Sequence, residues 1–145
     1  MVKNSFSTTW KSSTQPRKQR KYRYNAPLHL KQKYLHVHLS KELRDKYTTR
    51  NVQIKKGDKV LVLRGKFSKK EGKVDRVSLK YEKVYITGIE MIKKDGTKLL
   101  NPFNPSNLMV VTLNLDDKKR KQKLERTRNV VEETKQVNQE ENKND

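Results

Sequence analysis

The chain has no cysteine. That removes disulfides, thiolate zinc sites and a cysteine nucleophile, and it fits a reducing interior. Apolar residues are scarce at 31% of 145, so one small core is expected to hold about half of the chain. No apolar run approaches the ~18 residues of a membrane span. The first thirteen residues, MVKNSFSTTWKSS, lack the apolar segment of a secretory signal. They are Ser/Thr-rich, basic and free of acid, a faint likeness to an organelle transit peptide. The basic stretch runs straight on into the rest of the chain, which argues against that reading.

Positive charge is what the chain has in excess. Lys plus Arg number 36 against 16 acids, giving a net charge of +20 and a pI near 10.2. Such a surplus repels itself in a compact molecule unless a polyanion neutralises it. An anionic membrane is the weaker candidate, because no segment pairs a basic face with a wide apolar one. Residues 1–50 carry a net +11, residues 51–115 a net +8 and residues 116–145 a net +1. The first acid is Glu42. The preceding stretch, PRKQRKYRYNAP from Pro16 to Pro27, interleaves cations with Tyr22 and Tyr24. Its charges suit phosphates and its rings suit bases or riboses. In solution it reads as a solvated basic arm, ordered on RNA. Arg17, Lys18, Arg20, Lys21, Arg23, Lys31 and Lys33 are its candidate RNA contacts.

A short helix is expected within Leu28–Leu39, with Pro27 at its start, and a clearer one over Ser40–Tyr47, capped by Ser40. Residues 51–115 read as β. Strands are expected at Lys59–Arg64, Gly72–Leu79, Glu82–Ile89, the two arms of a Met91–Leu100 hairpin and Met109–Leu115. Asp95-Gly96 suits a type I′ turn. Pro105-Ser106-Asn107 reads as a short turn. Gly57, Gly65 and Gly72 serve as turn glycines, with Gly72 also allowing close backbone approach. Together these features predict a small five-stranded barrel. The basic loop after the first strand presents Arg64, Lys66, Lys69, Lys70 and Lys73. A basic helix is expected over residues 116–128, with Asp116 and Asp117 favoured at its N-terminus by the helix dipole. It offers Lys118, Lys119, Arg120 and Lys121. Residues 129–145 read as an acidic, disordered tail.

Catalytic chemistry finds no footing. His29, His36 and His38 crowd a Lys-rich segment without a nearby carboxylate or thiol. Asp58, Glu71, Asp75 and Glu82 each neighbour a cation, which favours ion pairing. Gly65-Lys66 lacks the rest of a phosphate loop. No catalytic residue, metal ligand or cofactor is expected. Trp10, the sole tryptophan, reads equally as a docking residue or as a loose one. Tyr81 and Tyr85 read as barrel packing, and Phe67 at the loop tip as the best base-stacking candidate.

The stretch KKGDKVLVLRGKFSKKEGKV, Lys55 to Val74, resembles the KOW motif. The blocks QPRKQRKYRYNAPLH (Gln15–His29), LSKELRDKY (Leu39–Tyr47), KKDGT (Lys93–Thr97), NPSNLMVVTLNLDDKKRK (Asn104–Lys121) and LERTR (Leu124–Arg128) extend the likeness across residues 15–128. The whole resembles the family of the universal large-subunit ribosomal protein numbered 24 (26 in eukaryotic naming), in its archaeal and eukaryotic form. The family's loop usually reads GKxKGKEGKV. Here Ser68 and Lys69 stand where Lys and Gly are common, and Asn104 replaces the usual His before Pro-Ser.

The resemblance implies a non-enzymatic, SH3-like β-barrel with a basic N-terminal extension over residues 1–50, its barrel over 51–115 and a basic C-terminal helix. It implies binding to large-subunit (23S-type) ribosomal RNA, near its 5′ part and early in assembly. It also implies a place among neighbouring large-subunit proteins near the polypeptide exit, within the cytoplasmic ribosome, with factors at the exit site as further candidate partners. Two other readings stand beside it. A KOW-type transcription elongation or antitermination factor would need a companion domain that residues 1–50 do not supply. A general architectural nucleic-acid binder would not distinguish RNA from duplex DNA.

Overall fold

Alternation of apolar and polar side chains decides the strands in the computed structural model, which describes residues 5–126. In KVLV, strand β3, Val60 and Val62 are buried while Lys59 is exposed. In KVYI, Val84 and Ile86 are buried. Period-two burial of this kind puts one face of each strand on a common core.

The described residues contain eight strands: β1 (His36–Leu39), β2 (Asn51–Gln53), β3 (Lys59–Val62), β4 (Glu71–Ser78), β5 (Lys83–Ile86), β6 (Glu90–Ile92), β7 (Lys98–Leu100) and β8 (Leu108–Thr112). Helices are α1 (Pro16–Asn25), α2 (Leu28–Lys31) and α3 (Lys41–Tyr47), with a fourth helical stretch, α4, over 118–126. Short 3₁₀ turns occupy Thr8–Ser12, Gln32–Leu35 and Pro105–Asn107. The expected final helical residues 127–128 and the tail 129–145 lie outside the described residues.

Six strands form one mixed sheet in the order β2-β1-β8-β3-β4-β5, and β6 pairs with β7 alone. Only the β1–β8 pair within that sheet is parallel. Val37 and Leu39 of β1 share a single core with Val84 and Ile86 of β5, four strands away in the sheet order. Sharing it requires the sheet to curl. A register shift between Val74 and Arg76 in β4 helps, because one half of this long strand pairs with β3 and the other with β5. The curl stops short of closure. The expected small β domain is present, but as an open, curled sheet with β2 and β5 at its edges in place of a five-stranded barrel.

Two further corrections concern local structure. The helix expected within Leu28–Leu39 ends at Leu35, and His36–Leu39 is β1, a central strand supplied by the segment expected to be an extension. Four residues carry too little local signal; pairing with β2 and β8 decides their state. The β6–β7 hairpin exists at Asp95-Gly96, but only Gly96 has a positive φ (81°). A type I′ turn needs it at both central positions. Instead the Gly96 amide donates to the Lys93 carbonyl (3.0 Å) and the Lys93 amide to the Thr97 carbonyl (3.0 Å). That is the three-residue form in which glycine takes the left-handed position. At α3 expectation and structure agree: Ser40 precedes the helix and its Oγ accepts from the Leu43 amide (3.4 Å), while Tyr47 is buried. The Pro16–Pro27 stretch, expected as a solvated arm, is instead helical over Pro16–Asn25.

One buried ion pair joins distant parts of this frame. Asp58, fully buried, accepts from Arg120 Nη1 (2.6 Å, to Oδ1) and Nη2 (2.8 Å, to Oδ2). It also accepts from the amides of Lys55 (2.8 Å) and Asn114 (2.8 Å). Arg120 in turn donates to the carbonyls of Asn114 (2.8 Å) and Gln53 (3.1 Å). The β2 end, the turn before β3, the segment after β8 and α4 thus converge on one carboxylate. Asp117, hydrogen-bonded to the Lys55 ammonium and to the amides of Lys119 (2.9 Å) and Arg120 (3.4 Å), caps α4; these bonds, the lysine's first, hold its carboxyl below the usual range. Replacing Asp58 by Ala should cost about 3–5 kcal/mol, because a buried guanidinium would lose its counter-charge. The double variant Asp58→Ala with Arg120→Met should recover much of that loss. Urea denaturation followed by circular dichroism measures both; a single-variant loss under about 1 kcal/mol would contradict the buried-pair account.

Candidate nucleic-acid interface

Acids and cations are used differently by this fold. Among the described residues, Asp58 pairs with Arg120, Glu82 with Arg23, Glu71 with Lys59 (2.8 Å), Asp75 with Lys56 (3.8 Å) and Asp117 with Lys55. By contrast, Arg17, Lys18, Arg20, Lys33, Arg64, Lys66, Lys69 and Lys73 are exposed and make no ion pair among the described residues. Lys118, Lys119 and Lys121 are exposed on α4, with Lys121 4.0 Å from Glu125. Arg120 departs from its expected role. At 6% exposure and bound to Asp58, it is withdrawn from any phosphate.

The cations of α1 face a partner from the sheet. Arg23 Nε donates to Glu82 Oε2 (2.7 Å), and Nη2 reaches the same oxygen. This bond is the main reason the guanidinium pKa is raised. Glu82 lies at the β4–β5 turn with φ +53°, so the turn delivers its carboxylate to α1. Phe6 stacks on Tyr22 (5.3 Å between centroids) and Lys21 Nζ lies 6.0 Å from the Trp10 ring, so the 3₁₀ turn carrying Trp10 leans on α1. Between α1 and the β4–β5 turn lies a groove of about 830 Å³. Arg20, Lys21, Arg23 and Lys31 line it from the N-terminal side; Lys80, Tyr81 and Glu82 line it from the turn; Tyr24 completes it. Lys31 Nζ reaches the Lys80 carbonyl at 3.4 Å. Lys80 has no expected role in sequence; only the turn geometry brings it to the α1 cations.

The loop between β3 and β4, residues 63–70, is tightly folded, and Lys73, expected on the loop, lies in β4. The Ser68 amide donates to the Gly65 carbonyl (2.9 Å), the Lys69 amide to the Val62 carbonyl (2.8 Å), and Ser68 Oγ to the Leu63 carbonyl (3.1 Å). Gly65 has φ +95°. This fold turns Phe67 inward, edge-on to Phe103 at 6.1 Å, against the core. Phe67 is thus a packing residue, and Tyr81, 66% exposed, is the open ring: the reverse of expectation. Lys70 Nζ sits 5.5 Å from the Phe67 ring. Gly72 lies inside β4, not in a turn. A Cβ there would collide with Ile86 Cγ2 and stand 2.9 Å from the Thr87 carbonyl oxygen, so the close approach it permits is between strands. Lys69 has φ +68°, the left-handed conformation that costs a non-glycine residue about 1–2 kcal/mol. It occupies the position at which the resembling family commonly carries glycine.

No group of three or more His, Cys, Asp or Glu among the described residues is placed to hold a metal, and no helix there is long and apolar enough to cross a membrane. The family of ribosomal proteins called L26 in eukaryotes and L24 in archaea matches residues 13–127. The chain is 50% identical over 112 residues to the large ribosomal subunit protein uL24 of Methanospirillum hungatei, covering 77% of this chain and 93% of the relative. It is 48% identical over 108 residues to that of Methanothrix thermoacetophila (74% and 93%) and 46% identical over 114 residues to that of Methanosphaera stadtmanae (79% and 97%).

Lys69→Gly should raise stability by about 1 kcal/mol, since it relieves the left-handed strain. The same change removes one exposed cation, so the salt dependence of polyanion binding should weaken by about one unit of slope. Thermal melts and binding titrations at several salt concentrations check the two effects separately. A variant that melts lower would contradict the assigned strain.

Proposed function

The chain belongs to the ribosomal protein family of eukaryotic L26 and archaeal L24, and on that premise we propose that it binds large-subunit ribosomal RNA through α1, the loop between β3 and β4 and the exposed face of α4. The family consists of ribosomal proteins of the large subunit, not enzymes, and the chain is a constituent of that particle. The curled sheet serves as a rigid hub in the manner of a KOW-type, SH3-like module. The basic segments reach outward from it. Binding takes place near the 5′ part of the RNA, early in assembly, with the protein settling near the polypeptide exit beside neighbouring large-subunit proteins.

One observation carries this reading. Among the described residues, exposed cations that make no ion pair stand on α1 (Arg17, Lys18, Arg20), on the loop after β3 (Arg64, Lys66, Lys69) and on α4 (Lys118, Lys119). Exposed cations on three separate elements suit an irregular polyanion better than a uniform duplex. Phosphate contacts of this type position a protein by shape, with little base readout. Attraction at this charge density speeds encounter and is strongly screened by salt.

Binding of the full chain to a large-subunit RNA transcript should weaken by several units of log K per unit of log salt if about ten phosphates are neutralised. Filter binding between low and physiological salt measures that slope, with duplex DNA of equal length as the competitor. A slope near zero would refute the electrostatic account. Equal affinity for the DNA would favour a general nucleic-acid binder, and recovery from a lysate with RNA polymerase instead of large subunits would favour a transcription factor.

A further inference from the structure

Six tyrosines are present, and four of them are buried or half-buried. Tyr22 stacks on Phe6, Tyr47 is buried, Tyr34 lies under the Arg23 guanidinium (5.3 Å) and Tyr85 under that of Arg76 (4.4 Å). The other two, Tyr24 and Tyr81, are 83% and 66% exposed, and both line the groove between α1 and the β4–β5 turn. Exposed rings cost solvation without contributing to the core. Here two of them, from elements far apart in sequence, are brought to one concavity whose rim is cationic.

The geometry points to a subsite for an unpaired nucleotide of single-stranded RNA in this groove. Its volume of about 830 Å³ is ample for a base with its ribose, since small-ligand sites run from about 300 Å³ upward. Arg20, Lys21, Lys31 and Lys80 supply charge for the flanking phosphates. The one acid in the lining, Glu82, is largely buried and spent on Arg23, so it does not repel them. Lys80 Nζ, 5.4 Å from the Tyr81 ring, adds positive charge beside a stacked base. An RNA duplex keeps its base faces stacked internally and leaves the tyrosines unused; an extruded base uses them. This subsite rests on the RNA-binding reading above and deepens it from phosphate shape to a base contact.

The test uses the full chain, wild type and with Tyr24→Leu plus Tyr81→Leu or Tyr24→Phe plus Tyr81→Phe. Each is titrated with a large-subunit RNA transcript, a short unpaired adenosine oligomer and an RNA duplex of equal length. The Leu pair should weaken both unpaired-containing probes by about 10- to 100-fold, leave duplex binding unchanged and preserve the salt slope. The Phe pair should bind as wild type, because the ring is retained. Both positions are exposed, and matching melting curves confirm that the variants fold. Leu variants that bind every probe as wild type does would overturn the subsite, as would a loss shared by the duplex. A wild type that binds the oligomer through the two rings yet ignores the transcript would leave the subsite standing and remove the ribosomal-RNA reading instead.

Discussion

A single carboxylate organises the frame. Asp58 lies in the turn before β3 with no exposure, and it receives two bonds from Arg120 and two from the backbone amides of Lys55 and Asn114, 59 residues apart in sequence. In a protein this rich in cations, a buried acid acts as the centre around which positive and polar groups condense. The desolvation of two charges is offset only when nearly every lone pair and proton is satisfied, and this geometry satisfies the carboxylate fully. The same pair fixes α4 against β2, so an element that carries a row of exposed lysines has a defined direction.

That arrangement recurs on a smaller scale. Glu82 holds α1 to the β4–β5 turn, and Asp117 both caps α4 and meets Lys55. Surface pairs such as Lys56 with Asp75 contribute little each. Each such pair cancels one acid and one cation and leaves the net surplus as it was. Exposed cations outnumber exposed acids on α1, on the loop between β3 and β4 and on α4.

Local patterns were the legible part of this sequence. Ser40 as a cap, the KVLV strand, the positive φ of Gly57 and Gly65 and a hairpin at Asp95-Gly96 each depend on a few neighbouring residues. What escaped depends on partners far along the chain. His36–Leu39 becomes a strand only because β2 and β8 flank it. Arg120 reads as one more cation in a basic run until Asp58, 62 residues away, is seen beneath it. Phe67 and Tyr81 exchanged roles because loop dihedrals, which residue type does not dictate, aim one ring inward and leave the other in the open. Lys69 marks the limit of motif reading: the backbone keeps a conformation suited to glycine although the side chain has changed.

The parallel partnership of β1 and β8 has a bearing on how the molecule comes into being. His38 and Leu39 align with Met109 and Val110, so a central strand made early waits for a mate made near the end. At about 5–20 residues per second that delay lasts several seconds. During it the cationic leading segment emerges before the sheet that will anchor it exists. A chain born in this order meets its surroundings arm first, and non-local pairing completes the hub afterwards.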